Sequence, residues 1–278
     1  MKENTKRFWV IINTLLIVLG FLGCDKDDVL IENNYYGTPV ELDFCLGNGE
    51  KANTRAQSPL PTSDVVYVTA DNGKSWCKYV YSSDSNIWKP AEGETPILWT
   101  DATITLFAIV RHDGGTTGST VTIQSDQTTA ANYEASDFLG VRGTYSYGSG
   151  KIQMVLSHRV CKMTVVAKNT PATDLTCSTT VALPTSGTFS LGYSNIDLTS
   201  TDTPTSTISL YKEDYDSTNK ITYFSAYVFP QTGVKTNFTF TSSGKTITIT
   251  VSYNLPDFGV AFDTSCITKY EITLPDMT

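Results

Sequence analysis

The stretch KTITITVSY (residues 245–253) alternates strictly, with Ile247, Ile249, Val251 and Tyr253 on one side and Thr246, Thr248, Thr250 and Ser252 on the other. Successive side chains of an extended chain point to opposite faces, so one apolar and one polar series at a period of two marks a strand buried on one face. Working outward, KYEITL (269–274) does the same with Tyr270, Ile272 and Leu274. NFTFT (237–241), ITYFSAYVF (221–229), ITLFAIV (104–110), DVVYVTA (64–70) and VELDFCL (40–46) are further strands. KIQMVLSHRVCKMTVVAK (151–168) is the strongest mid-chain strand run. Helical periodicity is hard to find beyond residue 24, and Thr, Ser, Tyr and Gly are abundant, a composition that suits pleated, half-buried surfaces. The expectation is an all-β protein.

Turn chemistry separates the strands. Asp71-Asn72-Gly73 reads as a tight hairpin, and Asp113-Gly114-Gly115 and Ser243-Gly244 are similar. Short turns between antiparallel strands point to β-sandwiches. Residues 193–220, rich in Ser, Thr, Asp and Pro, read as a surface loop. Glycines in GTYSYGSG (143–150) suggest a boundary there, giving an N-terminal sandwich over 39–148 and a C-terminal one over 149–278.

The first residues carry an export signal. Lys2, Lys6 and Arg7 precede FWVIINTLLIVLGFLG (8–23), a charge-free run shorter than the roughly 20 apolar residues that span a membrane. Leu22-Gly23 before Cys24 resembles the site at which bacterial lipoprotein signal peptidase cuts, with Phe21 departing from the usual Leu. Residues 1–23 are therefore expected to be removed and Cys24 to carry lipid. Cys24-Asp25-Lys26-Asp27-Asp28 opens an acidic linker (24–38) and resembles the export tag of surface lipoproteins of the Bacteroidota.

Net charge is −8 and the charged fraction 17%. An acidic chain repels phosphates, which argues against nucleic acid as a partner. After lipidation of Cys24, Cys45, Cys77, Cys161, Cys177 and Cys266 are an odd set that cannot pair completely. Cys161 and Cys177 could bridge neighbouring strands or remain buried thiols. No Cys/His spacing suggests zinc, and no metal or cofactor is expected. His112 beside Asp113-Gly114-Gly115 reads as a solvated loop residue, and His158, inside the long strand run, as a polar residue either at a strand edge or hydrogen-bonded to a neighbour. There is no GxSxG elbow, phosphate-binding glycine loop or HExxH. Asp214 and Asp216 are loop carboxylates of the kind a glycosidase pair could use. The expectation is a structural or binding protein, not an enzyme.

Several landmarks, in order, resemble the fimbrillin family of Bacteroidota lipoproteins, the subunits of type V pili. They are Asn53-Thr54-Arg55-Ala56, Ile97-Leu98-Trp99 followed by ITLFAIV, YEASDFLG (133–140), the run 151–168 as the family's strand–His–Lys–strand element that opens the second domain, with His158 and Lys162 in place, Phe229-Pro230-Gln231-Thr232, and Lys269-Tyr270-Glu271-Ile272-Thr273-Leu274. Cys161 stands where the family usually has Ser. The resemblance implies two consecutive transthyretin-like antiparallel β-sandwich domains. It implies delivery to the outer membrane through lipid on Cys24, and cutting by an arginine-specific protease between Arg55 and Ala56. Loss of VELDFCL would open a groove for a strand donated by another pilus subunit, giving an extracellular fimbria for adhesion or biofilm formation. The chain ends soon after KYEITL, whereas many relatives continue into a further strand. That leaves open whether KYEITL is itself the donor, and whether the subunit is terminal or an anchor that keeps its lipid.

Two other classes compete. A glycan-binding surface lipoprotein of a polysaccharide-uptake system would need an exposed aromatic platform, for which Trp76, Trp88 and Trp99 are the candidates. A secreted hydrolase would need carboxylates brought together from loops. Asp216-Ser217-Thr218 also resembles an O-glycosylation site, which fits any exported reading.

Overall fold

The computed structural model describes residues 35–47, 57–170, 174–193, 196–200, 203–204, 206–231, 234–249, 253–254 and 267–275. The described residues are all-β apart from one short helix. The first half contains β1 (Leu42–Gly47), β2 (Gln57–Pro59), β3 (Val65–Thr69), β4 (Cys77–Ser82), β5 (Ile87–Pro90), β6 (Thr103–Arg111) and β7 (Thr120–Thr122). Helix α1 (Ala130–Glu134), β8 (Phe138–Ser146) and β9 (Ile152–His158) follow. The second half contains β10 (Cys161–Lys168), β11 (Thr176–Thr179), β12 (Ser186–Leu191), β13 (Ile196–Ser200), β14 (Tyr211–Asp216) and β15 (Ile221–Val228). It is completed by β16 (Lys235–Thr236), β17 (Phe238–Ser242), β18 (Lys245–Thr248), β19 (Tyr253–Asn254) and β20 (Ile267–Thr273).

The alternating stretches form three cores. The first eight-stranded sheet runs β2-β1-β9-β8-β6-β3-β4-β5. It curls until its ends meet, so that Phe44 on β1 packs edge-on against Trp88 on β5 at 5.3 Å. Leu42, Phe44, Val66, Val68, Leu106, Ala108, Met154 and Leu156 fill its interior. The second core lies between the sheet β14-β15-β10-β20 and the sheet β11-β17-β18, and Met163, Val165, Phe224, Ala226, Phe238, Phe240, Tyr270 and Ile272 occupy it. The sheets are mainly antiparallel, but β1 runs parallel to β9 and β20 parallel to β10.

The third core joins the halves. β7 pairs with β12, and β12 with β13, so a strand from the first half completes a small sheet of the second. This sheet covers the outer face of β6, which is why Phe107 and Ile109 are buried along with Leu106 and Ala108 on the other face. Gln127 adds a polar clasp: its side-chain amide donates to the Tyr227 carbonyl at 2.8 Å and accepts from the Tyr227 N–H at 2.9 Å. In effect it pairs with β15 as a strand would.

Three expectations change here. The run 151–168 is two strands that serve different cores, β9 in the first sheet and β10 in the second. The expected cut at 148/149 falls within the connection between β8 and β9, and both strands belong to the first sheet. Residues 193–220 are not simply a surface loop: β13 and β14 lie within them, and Ile196, Ile208 and Leu210 are buried. Those side chains sit among Ser, Thr and Asp, whose turn-forming tendency masks them in sequence.

Turn chemistry fares unevenly. Ser243-Gly244 closes the two-residue hairpin β17–β18, with φ of 47° and 77°. Positive φ at both positions matches strand twist, and glycine takes it without strain. Asp71-Asn72-Gly73 lies within a longer β3–β4 connection, residues 70–76. Asp113-Gly114-Gly115 makes no hairpin. There the Asp113 carboxylate receives Arg111 at 2.8 Å and the Gly115 and Thr122 N–H groups, tying β6 to β7.

Candidate functional site

Cys24, Arg55 and Ala56 lie outside the described residues. The strand expected to leave with Cys24 and Arg55 lies within the described residues. β1 is held between β2 and β9, with Leu42–Leu46 opposite Ile152–Leu156 and Cys45, Leu46 and Gly47 opposite Pro59, Ser58 and Gln57. Val40, Leu42 and Phe44 are buried. At ~1.5–3 kcal/mol for each fully buried large apolar side chain, these three contribute roughly 5–9 kcal/mol as an upper bound. The Cys45 thiol points at the Met154 carbonyl, 3.8 Å away, and burial, with the nearby Asp43 charge, pushes its pKa up. β1 is thus an interior strand whose removal would strip one edge of β9. Its link to β2 is the segment that contains Arg55.

A second constellation lies at the junction of the halves, around a cavity of about 440 Å³. His112, just after β6, sets Nε2 3.1 Å from Asp64 Oδ1, just before β3. His158, at the end of β9, sets Nδ1 2.7 Å from Asp137 Oδ1, just before β8. The His158 ring stacks on Tyr227 with centroids 5.6 Å apart. Tyr133 of α1 is sandwiched between Tyr227 at 4.8 Å and Tyr211 at 5.1 Å. The hydrogen bond to Asp64 raises the His112 pKa, burial opposes it, and the charges of Asp64 and Asp137 add to the rise. Burial pushes both tyrosine hydroxyls up; at Tyr227 the Asp137 charge adds to it, whereas Lys162 opposes it at Tyr133. His112 is therefore a half-buried ion-pair partner rather than a solvated loop residue, while His158 has the neighbour expected of it. Nothing in the spacing announces either pair, since their members lie 48 and 21 positions apart.

The other candidates are dispersed. Trp88 and Trp99 are core residues and Trp76 is half-buried against the third core, so the three make no exposed platform. Asp214 is exposed and accepts only its neighbour's N–H. Asp216 caps the turn into β15 by accepting the N–H groups of Thr218 and Asn219, leaving Ser217 and Thr218 exposed. Cys45, Cys77, Cys161 and Cys177 are buried. Among the described residues no group of three or more His, Cys, Asp or Glu is placed to hold a metal ion, and no helix is long and apolar enough to cross a membrane.

With this geometry in hand, the family model for fimbrillin-like proteins matches residues 51–278. The chain belongs to the fimbrillin-like family. Solved structures similar to this fimbrillin-like chain include a candidate cell adhesion protein from Bacteroides ovatus. It is 17% identical, with a TM-score of 0.60 over 85% of this chain and 92% of that one. A second, from Bacteroides uniformis, is 21% identical, with a TM-score of 0.54 over 85% and 93%. At these identities the likeness establishes the fold. No curated protein matches the chain significantly.

Proposed function

We propose that the protein is a structural subunit of a cell-surface fimbria, not an enzyme, assembled by exchange of β1 for a strand from another subunit. The observation that carries this reading is the position of β1. It is an interior strand, parallel to β9, and joined to β2 by the stretch that holds Arg55. A cut after Arg55 would leave β1 attached only by pairing and packing. Its departure would leave unpaired main-chain groups on β9 beside an apolar slot, the arrangement that strand addition fills.

On this reading Cys24 is a delivery handle. Lipid on it brings the precursor to the outer membrane, an arginine-specific protease severs it, and the subunit passes into the extracellular fibre. An incoming strand needs apolar residues at every second position, and β20 has that pattern with Tyr270 and Ile272, continued by Leu274 just after it, while lying at the edge of its own sheet. We further propose two domains that meet at Arg159-Val160, between β9 and β10, rather than at 148/149. A subunit that escapes the cut would keep its lipid and serve as an anchor.

Cells that make the full-length chain test the proposal. Surface fibres labelled by antibody under the electron microscope are expected, with Cys24→Ala abolishing surface delivery and Arg55→Ala leaving cell-bound protein without fibres. Fibres of normal length from Arg55→Ala cells would overturn it.

A further inference from the structure

The chain just ahead of β1 is also stitched down, but to a different partner. Residues 38–40 run antiparallel to residues 97–99, with Pro39 opposite Leu98. The Val40 N–H donates to the Ile97 carbonyl at 2.8 Å, and the Trp99 N–H to the Thr38 carbonyl at 2.9 Å. The Gly37 N–H donates to the Trp99 carbonyl at 2.9 Å. At Glu41 the partner changes: its carbonyl accepts from the Ile152 N–H, and from Leu42 onward the chain pairs with β9.

A tight turn precedes this pairing. The Thr38 N–H donates to the Tyr35 carbonyl at 3.0 Å, and Gly37 takes a φ of 80°, which residues with a side chain rarely adopt. The turn brings the Tyr35 ring to Tyr147, just after β8, with centroids 5.6 Å apart. Tyr147 meets Trp99 edge-on at 5.5 Å. The three rings form a row at spacings where aromatic pairs attract.

Residues 35–40 lie on the same severed piece as β1 and would leave with it. Trp99, which is buried, would lose the partners of both its main-chain groups, Ile97 that of its carbonyl, and Tyr147 its contact with Tyr35. Main-chain groups left unpaired in this way are costly. The slot therefore has two parts. The edge of β9 accepts alternate apolar residues, and the 97–99 edge with its two rings accepts what comes before them.

The geometry points to Tyr147 and Trp99 as a second recognition subsite of the slot, specific for a donor strand that carries an aromatic residue five positions ahead of its first buried apolar one and a glycine two positions after that aromatic. Tyr35, Gly37 and Val40 are those residues in the native segment. The subsite presupposes strand exchange and adds to it a rule for discriminating among donors. β20 meets the rule only in part. With Tyr270, Ile272 and Leu274 set where Val40, Leu42 and Phe44 lie, Ser265 and Ile267 fall at the positions of Tyr35 and Gly37. Such a strand fills the β9 part, leaves the aromatic seat empty and makes the weaker joint.

Peptide binding to the full chain, cut between β1 and β2, tests the subsite. A recognition sequence for an unrelated protease, placed in that link, makes the cut independent of Arg55. Fluorescence anisotropy then follows labelled, N-acetylated peptides as they compete with the severed segment. The peptide of residues 35–47 is expected to bind at least about threefold tighter than its Tyr35→Ala form, and a Tyr35→Phe form, which keeps the ring, to bind like the native one. Tyr147→Ala in the protein should weaken the native peptide to the level of the Tyr35→Ala peptide and leave the latter unchanged. The substitutions in the peptide decide the matter if Tyr147→Ala does not fold. Equal affinity of the native and Tyr35→Ala peptides would overturn the subsite and leave strand exchange standing. Failure of every peptide to bind, residues 38–47 included, would overturn both.

Discussion

At the scale of single residues, the buried polar contacts set the consequences of substitution. Arg111 and Asp113 are an almost fully buried ion pair. Burial tends to raise the Asp113 pKa, but the Arg111 side chain and the Thr122 and Gly115 N–H groups outweigh it and hold the carboxyl low. Arg111→Ala would strand that charge, and breaking a buried pair in this way costs about 3–5 kcal/mol, readable as a fall in the urea midpoint. Gln127→Leu keeps the volume but leaves both main-chain groups of Tyr227 unpaired. At about 1–3 kcal/mol for each buried group it is expected to destabilise by roughly 2–6 kcal/mol, and Gln127→Glu would restore only the acceptor half.

His112 gives the molecule a pH signature. Its pKa is raised in the folded state by the bond to Asp64. The stabilisation is therefore fully present below the unfolded value of ~6.5 and is lost as pH rises through the higher folded value. A melting-temperature profile from pH 5 to 9 should fall across that window in the native chain and be flatter in His112→Gln.

At the scale of elements, β1 carries the argument. A chain cut after residue 55 and stripped of β1 should show a lower denaturation midpoint. A synthetic peptide of residues 38–47 should raise it in proportion to the logarithm of its concentration, as expected of a ligand specific for the folded state. A peptide with Phe44→Asp should not, because that side chain enters the core beside Trp88. Elements also show what sequence could and could not disclose. The strands around Val66, Leu106 and Phe224 were legible because their runs of apolar, β-branched and aromatic residues are local. The break between β9 and β10 was not: Ser157 to Val160 continues the pattern, and the turn is fixed by distant contacts, the Arg159 N–H to the Phe138 carbonyl and its guanidinium to the Gly140 carbonyl. Ile208 and Leu210 were hidden for the opposite reason, being apolar islands in a turn-forming stretch. The two histidine–aspartate pairs have no local pattern at all, since only the pairing of β3 with β6 and of β8 with β9 brings each pair together.

At the scale of the molecule, the two halves of the chain share a third core through the β7-β12-β13 sheet and the clasp of Gln127 on Tyr227. A subunit tied together in this way could transmit load along a fibre, provided that the slot of β1 is refilled. Head-to-tail refilling of one slot by one donor repeats a heterologous contact, which extends without closing. Treatment of the purified full-length precursor with an arginine-specific protease tests this most directly, by N-terminal sequencing and by electrophoresis without boiling. A product that begins at Ala56 and a ladder of SDS-resistant oligomers are expected, with neither formed from Arg55→Ala. A product that begins elsewhere, or a clean cut at Ala56 that leaves only monomers with β1 still bound, would contradict that expectation.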